Sequence, residues 1–307
     1  SKTNSTFAIA ITNPNIRWKA AYRLLSYNIS SKLKPFDFKN PFGVQCTING
    51  DLNKEGDPNI RVEANIKNNE LSYFDHQVTD CTFKGVFTNE YQKNKGVSDE
   101  NSAILLDDFR GKVHSIPFTT KNMMILDLKK PIASGSFVSR FDLEQLNQTL
   151  VKQTLTFDSG QADLRLAFKA DVVNLEMQKP FLIGSVVIQN ASGTHISSKK
   201  KFNNSSVDLS FTSKELKVNQ IELNTQNSAL KMKGQSDNFL NFYYDTPEKI
   251  QVNWNIQAQR IDLRDFSFGS GKAASIKKST KITPNIINIL HQSNATINLR
   301  AENIVYK

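Results

Sequence analysis

The sequence predicts a mostly β protein in which long antiparallel strands form a curved, groove-forming sheet with a few short helices. In the stretch GQADLRLAFKADV, residues 160–172, every second position from Ala162 to Val172 is apolar or small. Such alternation gives a strand one apolar and one polar face. The same pattern recurs over 250–258. Only 38% of the 307 residues are hydrophobic, which is low for a compact enzyme of this size and implies that the apolar surface lies on single faces.

Two arrangements of one-faced strands are open, a single curved sheet and a β-sandwich. A doubly wound α/β fold is excluded because helical patterns are few. A sandwich favours short strands with turns every ~8–12 residues. The strand at 160–172 would span about 40 Å at ~3.3 Å per residue, and the strand at 249–260 is also long. Their length favours one curved sheet.

The N-terminal region predicts a strand followed by a helix. Phe7, Ile9 and Ile11 alternate as in a short strand. Asn13-Pro14 is typical of a helix start, with proline at the first helical position. Apolar residues at helical spacing extend this predicted helix over 14–32.

The centre of the chain predicts an antiparallel meander. The hydrophobic period is two from Phe42 to Phe87, and further strands are predicted over 103–128. Strands this close in sequence are joined by tight turns, so we expect neighbouring strands to be antiparallel. Asp142 and Gln145 then form a capping-box pattern, which predicts a short helix over 142–151.

The C-terminal half predicts more strands, interrupted by a Gly/Ser/Lys-rich loop and a short helix. We expect two parts, 1–135 with the helix and meander and 136–307 as a second β-groove segment with short capping helices. Together they are expected to form one elongated unit excised from a longer chain. The predicted strands, loop and helix are 160–172, 181–189, 207–211, 221–225 paired with 229–234, 250–258, the loop 267–281, the helix 284–290 and the strand 295–301.

Composition and motifs argue against catalysis, metals and nucleic acid. The net charge is +10 with a pI near 9.4, but no zinc-finger, RNP-like or arginine-rich pattern accompanies it. The four histidines are isolated, so we expect no metal and no cofactor. Asp107 and Asp108 are adjacent and face opposite ways in a strand, so we expect no enzyme. Cys46 and Cys81 are either disulfide-bonded or two buried thiols.

Three segments resemble AsmA-like proteins, the bacterial envelope relatives of TamB and of bridge-type lipid transfer proteins. They are GDLNKEGDPNIRVEANIKNNELSYFDHQVTDCTFKGVFTNE (50–90), VNQIELNTQNSALKMKGQSDNF (218–239) and ATINLRAENIVYK (295–307). A strand pair ending in s-x-l-x-x-x-G recurs in that family, and here it is Ser228, Leu230 and Gly234.

The resemblance implies a periplasmic β-groove that shields acyl chains and takes part in phospholipid transport or outer-membrane assembly. It implies that the partners are a phospholipid or another acyl-chain lipid and the bacterial membranes, and that an inner-membrane anchor precedes Ser1 in the full-length protein. The alternative function is a non-catalytic envelope or extracellular β-scaffold, such as an adhesin-like or glycan-binding module. The oligomeric state is left open.

The candidate groove lining consists of apolar residues that alternate along the predicted strands. They are Leu164, Leu166, Phe168, Val172, Val207, Leu209, Phe211, Ile221, Leu223, Leu230, Met232, Val252, Trp254 and Ile256.

Overall fold

The computed structural model describes residues 5–24, 27–74, 76–148, 155–173, 176–196, 198–242, 249–266 and 294–306. The described residues form one large, open, curved sheet of 15 strands that is mostly antiparallel, with few helices. The predicted fold class is therefore confirmed, in its curved-sheet form rather than as a sandwich.

The elements follow the chain in this order. The strands are β1 (Thr6–Ile16), β2 (Phe36–Phe38), β3 (Phe42–Asp51), β4 (Asn59–Tyr73), β5 (His76–Thr88), β6 (Ala103–Val113), β7 (Ile116–Leu126), β8 (Ile132–Asp142), β9 (Leu155–Val173), β10 (Glu176–His195), β11 (Lys200–Phe211), β12 (Glu215–Asn224), β13 (Ala229–Asp237), β14 (Gln251–Asp262) and β15 (Asn294–Val305). The α-helices are α1 (Trp18–Ala21) and α2 (Tyr27–Leu33), and the 3-10 helices are Tyr22–Leu24, Leu143–Gln148, Phe239–Phe242 and Leu263–Phe266.

The order of strands in the sheet follows the order in the chain except at β2. β2 pairs with β4 beside the main path, and β15 runs parallel to β14. Residues 263–293 lie between these two strands, and parallel neighbours need a crossover of about a dozen residues or more. β1 and β15 stand at the two ends of the strand order.

The chain clusters into two compact units. The first comprises Ser1–Ser139 and Leu166–Phe181, and the second comprises Arg140–Arg165 and Leu182–Lys307. The predicted domains 1–135 and 136–307 divide the chain near the same place, but the second part of β9 and the start of β10 group with the first unit.

The predicted helix over 14–32 is wrong at its start. β1 continues past Pro14 to Ile16, and the helical region begins only at Trp18. The backbone N–H of Leu52 donates to the carbonyl of Ser5, so odd-numbered residues of β1 point their backbone groups at β3 and even-numbered residues point away. Pro14, which has no N–H, therefore lies on the unpaired side, where a strand tolerates proline.

Three further predictions differ from the structure or lie outside it. The helix expected over 142–151 is a 3-10 helix, Leu143–Gln148. β9 is longer than expected, with 19 residues and a length of about 60 Å. The predicted loop 267–281 and helix 284–290 lie outside the described residues.

Several strands contain a β-bulge at an asparagine or aspartate in the left-handed backbone region. These residues have φ between 43° and 53° and lie where the strand register shifts. Asparagine and aspartate tolerate this conformation better than other non-glycine residues. Each bulge bends its strand and moves the alternation by one residue, which gives the sheet its curvature. The bulge residues are Asn68, Asp80, Asp108, Asn122, Asn190 and Asn204.

The core of the first unit is a row of phenylalanine rings on one face of the sheet. Neighbouring ring centroids are 5.1–6.1 Å apart. Trp18 of α1 packs on this row, 5.2 Å from the ring of Phe38. The helical region thus covers one part of the face. In order of contact, the rings are Phe42, Phe38, Phe83, Phe109, Phe118 and Phe137.

Candidate functional site

Apolar side chains form continuous rows across one face of the second unit. Directly paired residues of neighbouring strands project from the same face, so the pairings from β10 to β15 define each row. The row that we call the central row consists of Ile188, Val207, Ile221, Met232, Ile256 and Leu299. The adjacent row consists of Val186, Leu209, Val218, Gly234, Trp254 and Ile297.

Two shorter rows flank these on the same face. One consists of Leu223, Leu230, Ala258 and Ala301, and the other of Phe211, Leu216, Ser236, Val252 and Ala295. All the predicted lining residues from Val207 to Ile256 therefore lie on a single face of the second unit. We call it the apolar face.

The side chains of the apolar face are only partly buried. Among the predicted lining residues, Leu230 and Val252 are buried, with 8% and 2% of their surface exposed, and the others are half-buried. At the β15 end, Ile297 and Leu299 are each 51% exposed. A residue between two packed layers is normally almost fully buried. Partial burial indicates that neighbouring strands cover the flanks of these side chains while their tips stay accessible.

Short helices pack near the ends of this face. Leu143, fully buried in its 3-10 helix, contacts Ala162 and Ala191, and the ring of Phe239 lies 6.0 Å from that of Phe211. Among the residues that the structure describes, the central row packs against its neighbours in the sheet and no second sheet covers it.

Gly234 leaves room for the indole of Trp254 within the apolar face. A Cβ on Gly234 would stand 2.6 Å from Trp254 Cδ1 and would overlap the carbonyl oxygen of Asn253. The indole Nε1 is buried and has no hydrogen-bond partner in the described part of the chain. The glycine of the s-x-l-x-x-x-G pattern thus has a physical cause, the close approach of β14.

Ser228, the first residue of that pattern, links the β12–β13 turn to the end of β14. Its hydroxyl accepts the backbone N–H of Asp262 at 2.8 Å and donates to Asp265 at 2.9 Å. Asp265 also accepts from the Thr225 hydroxyl at 2.6 Å. Asp262 is fully buried, and its bonds to the Arg264 guanidinium lower its pKa to about 2. These hydrogen bonds connect the β12–β13 turn to the end of β14 and support the hairpin.

The predicted lining residues on β9 divide between the two units. Leu164 belongs to the second unit, whereas Leu166, Phe168 and Val172 belong to the first. In the first unit the ring of Phe168 lies 3.4 Å from the position that a Cβ on Gly135 would occupy. All four side chains are half-buried.

Two surface depressions lie on the polar face of the sheet instead. One, of about 510 Å³, is lined mainly by lysine and carboxamide side chains of the second unit, including Lys217, Lys233 and Asn253. The other, of about 520 Å³, lies in the first unit near Glu63 and Lys84. Both are open, and charged or carboxamide side chains interrupt the lining of each, so neither offers an acyl chain a continuous apolar track.

The candidates for other chemistry have structural explanations. Cys46 and Cys81 are buried and unbonded, and burial raises the pKa of the Cys81 thiol to about 12. Asp108 is a bulge residue, and Asp107 beside it is exposed. In the described ranges, no group of three or more His, Cys, Asp or Glu side chains is placed to bind a metal ion. No described helix is long and apolar enough to cross a membrane.

The sequence-based list omitted several residues of the apolar face. Val186 and Ile188 on β10, Val218 on β12, and Ile297 and Leu299 on β15 all continue the two long rows. The alternation of their strands was visible in the sequence, so the same criterion could have found them.

No protein-family model matches the chain, and no curated protein and no solved structure is significantly similar to it.

Proposed function

We propose that this chain is a lipid-binding β-groove segment of an AsmA-like envelope protein, in which the apolar face binds acyl chains. The observation that carries the proposal is the central row. It crosses β10 to β15 without a charged residue, and its side chains stay partly accessible. Contiguous apolar surface of this kind is uncommon on soluble proteins and implies a bound apolar partner.

An acyl chain fits the row better than a compact ligand. Successive strands stand about 4.8 Å apart, so a row across six of them provides about 24 Å of apolar track. A C16–C18 chain has a comparable extended length, and each CH₂ that leaves water contributes about 0.8 kcal/mol. The polar face supplies the hydrated side of the sheet.

The resemblance supplies the cellular setting of the proposal. The segment acts in the periplasm, anchored to the inner membrane in the full-length protein, and serves phospholipid transport or outer-membrane assembly. Its role is binding and shielding of lipid, not catalysis, and it uses no cofactor and binds no nucleic acid. The single sheet of the described residues favours the groove over a scaffold in which two sheets bury each other.

Site-specific photo-crosslinking tests the proposal. We would place a benzophenone amino acid at Met232, in the central row, and at Lys233, on the polar face of the same strand as the matched control. After incubation with phosphatidylethanolamine–phosphatidylglycerol vesicles and irradiation, the Met232 variant should gain the mass of a phospholipid and the Lys233 variant should not. Equal labelling, or none at Met232, would contradict the proposal.

A further inference from the structure

The free edge of β1 is long, exposed and uncharged. Among the residues that the structure describes, β1 pairs with β3 alone, and Ile9 and Ile11 are 47% and 40% exposed. No charged residue occurs between Ser5 and Ile16. Natural proteins usually protect such an edge with charged residues or cover it, because its unpaired N–H and C=O groups can bind another strand.

The backbone groups that face outward on β1 are those of the even-numbered residues. The bond from Leu52 N–H to the Ser5 carbonyl sets the odd-numbered residues toward β3, and the pairing with β3 is regular from Thr6 to Asn13. Within the described part of the chain, the backbone donors and acceptors of Thr6, Ala8, Ala10 and Thr12 therefore have no strand partner and point outward along the edge. Pro14 is the next even-numbered residue. It has no N–H, so the run of outward hydrogen-bond donors ends before it.

The sequence of this edge is nearly symmetric about Ile9. Residues 6–12 read TFAIAIT. If a second β1 pairs antiparallel with Ile9 on the two-fold axis, Ala8 faces Ala10 and Thr6 faces Thr12. These pairs are the ones whose backbone groups point outward, so each forms two hydrogen bonds.

The intervening pairs bring apolar side chains together. In this register Ile9 faces Ile9 of the other copy and Phe7 faces Ile11 at non-hydrogen-bonded positions, where side chains are closest. They project from the face that carries Ile48 and Cys46 of β3. The same contact therefore covers the exposed apolar surface of Ile9 and Ile11 and provides hydrogen-bond partners for the outward backbone groups of β1.

We propose that two copies of this chain pair through β1 about a two-fold axis at Ile9, which continues the sheet from one copy into the next. An isologous contact of this kind closes after two subunits and does not polymerise. A single pair of edges buries less than the roughly 1,200–2,000 Å² of a standard interface. The expected dissociation constant is therefore on the order of micromolar. The proposal does not depend on lipid binding.

A charge-swap experiment on Ala8 and Ala10 tests the register. Both side chains are exposed on the polar face and lie beside the uncharged Asn49 and Thr47 of the same copy. The variant Ala8→Lys/Ala10→Lys and the variant Ala8→Glu/Ala10→Glu should each be monomeric by sedimentation velocity at about 50 µM, because like charges oppose each other across the axis. Their equimolar mixture should recover the dimer of the wild-type chain.

Disulfide trapping gives a second readout that needs no charge. Cα atoms at a non-hydrogen-bonded pair stand about 4.5 Å apart, which lies within the range of a disulfide. Ile9→Cys should therefore form a covalent dimer on mild oxidation, whereas Ala10→Cys, which faces Ala8 of the other copy, should do so at least about tenfold more slowly. A wild-type chain that is monomeric at 50 µM, a mixture that stays monomeric, or equal cross-linking of the two cysteine variants would overturn the proposal.

Discussion

Replacing Ile256 with aspartate places a carboxylate in the middle of the central row. Ile256 is half-buried between Met232 and Leu299 on the neighbouring strands. Full burial of an isoleucine side chain contributes about 1.5–3 kcal/mol, so its loss here should cost about 1–1.5 kcal/mol of unfolding free energy. The carboxylate remains hydrated because the face is open. For a chain of this size we expect a melting temperature lowered by about 5 °C or less.

Lipid binding should respond much more strongly than stability. The same carboxylate must lose water when an acyl chain lies along the row, so affinity for a fluorescent phospholipid should fall by tenfold or more, which is about 1.4 kcal/mol. Gln257→Asp, at the next residue on the exposed polar face, is the matched control and should bind as the wild type does. If Ile256→Asp binds lipid normally, or unfolds the chain outright, the open-groove reasoning is refuted.

Three further perturbations test the fold that supports the face. Val252 is only 2% exposed, so Val252→Asp buries an unpaired charge and should cost several kcal/mol; a thermal melt like that of the wild type would contradict its burial. Arg264 lowers the pKa of Asp262 to about 2, so the ionised pair stabilises the fold above about pH 4, and this stabilisation is lost as the pH falls toward 2. The free energy of unfolding in urea should therefore decrease less between pH 7 and pH 3 in Arg264→Met than in the wild type. An unchanged pH dependence would be evidence against the pair. Asp108 has φ 50°, so Asp108→Val should cost about 1–2 kcal/mol in chemical denaturation, whereas the extended neighbour Asp107→Val should cost less than about 0.5 kcal/mol.

Most of the fold could be predicted from the hydrophobic alternation of the sequence. It located the long strands and identified which side chains share the apolar face. The alternation also indicates where some β-bulges lie, although we did not predict them. In β5 the core side chain is at an even position at Val78 and at odd positions at Cys81 and Phe83. The switch occurs at Asp80, whose φ is 52°. A change of parity at an asparagine or aspartate inside a strand is therefore a usable signal for a bulge.

The features that sequence did not predict depend on distant partners. Asn13-Pro14 carries a local helix-start signal. In the described structure, however, β1 has strand partners only on the β3 side, so proline fits on its other side. The parallel pairing of β15 with β14 joins segments distant in sequence, and no local pattern in either strand specifies its direction. The register between Val207 and Ile221 depends on a shift between Asp208 and Leu209, so the continuity of the central row could not be derived strand by strand.

Native mass spectrometry of the chain, purified from a bacterial envelope in a mild detergent, tests the central claim most directly. The wild-type chain should carry phospholipid, identified by its mass and by fragmentation after release. Ile256→Asp should carry at least tenfold less, and Gln257→Asp should carry the wild-type amount. A wild-type chain that emerges without lipid, or variants that retain it equally, would contradict the account.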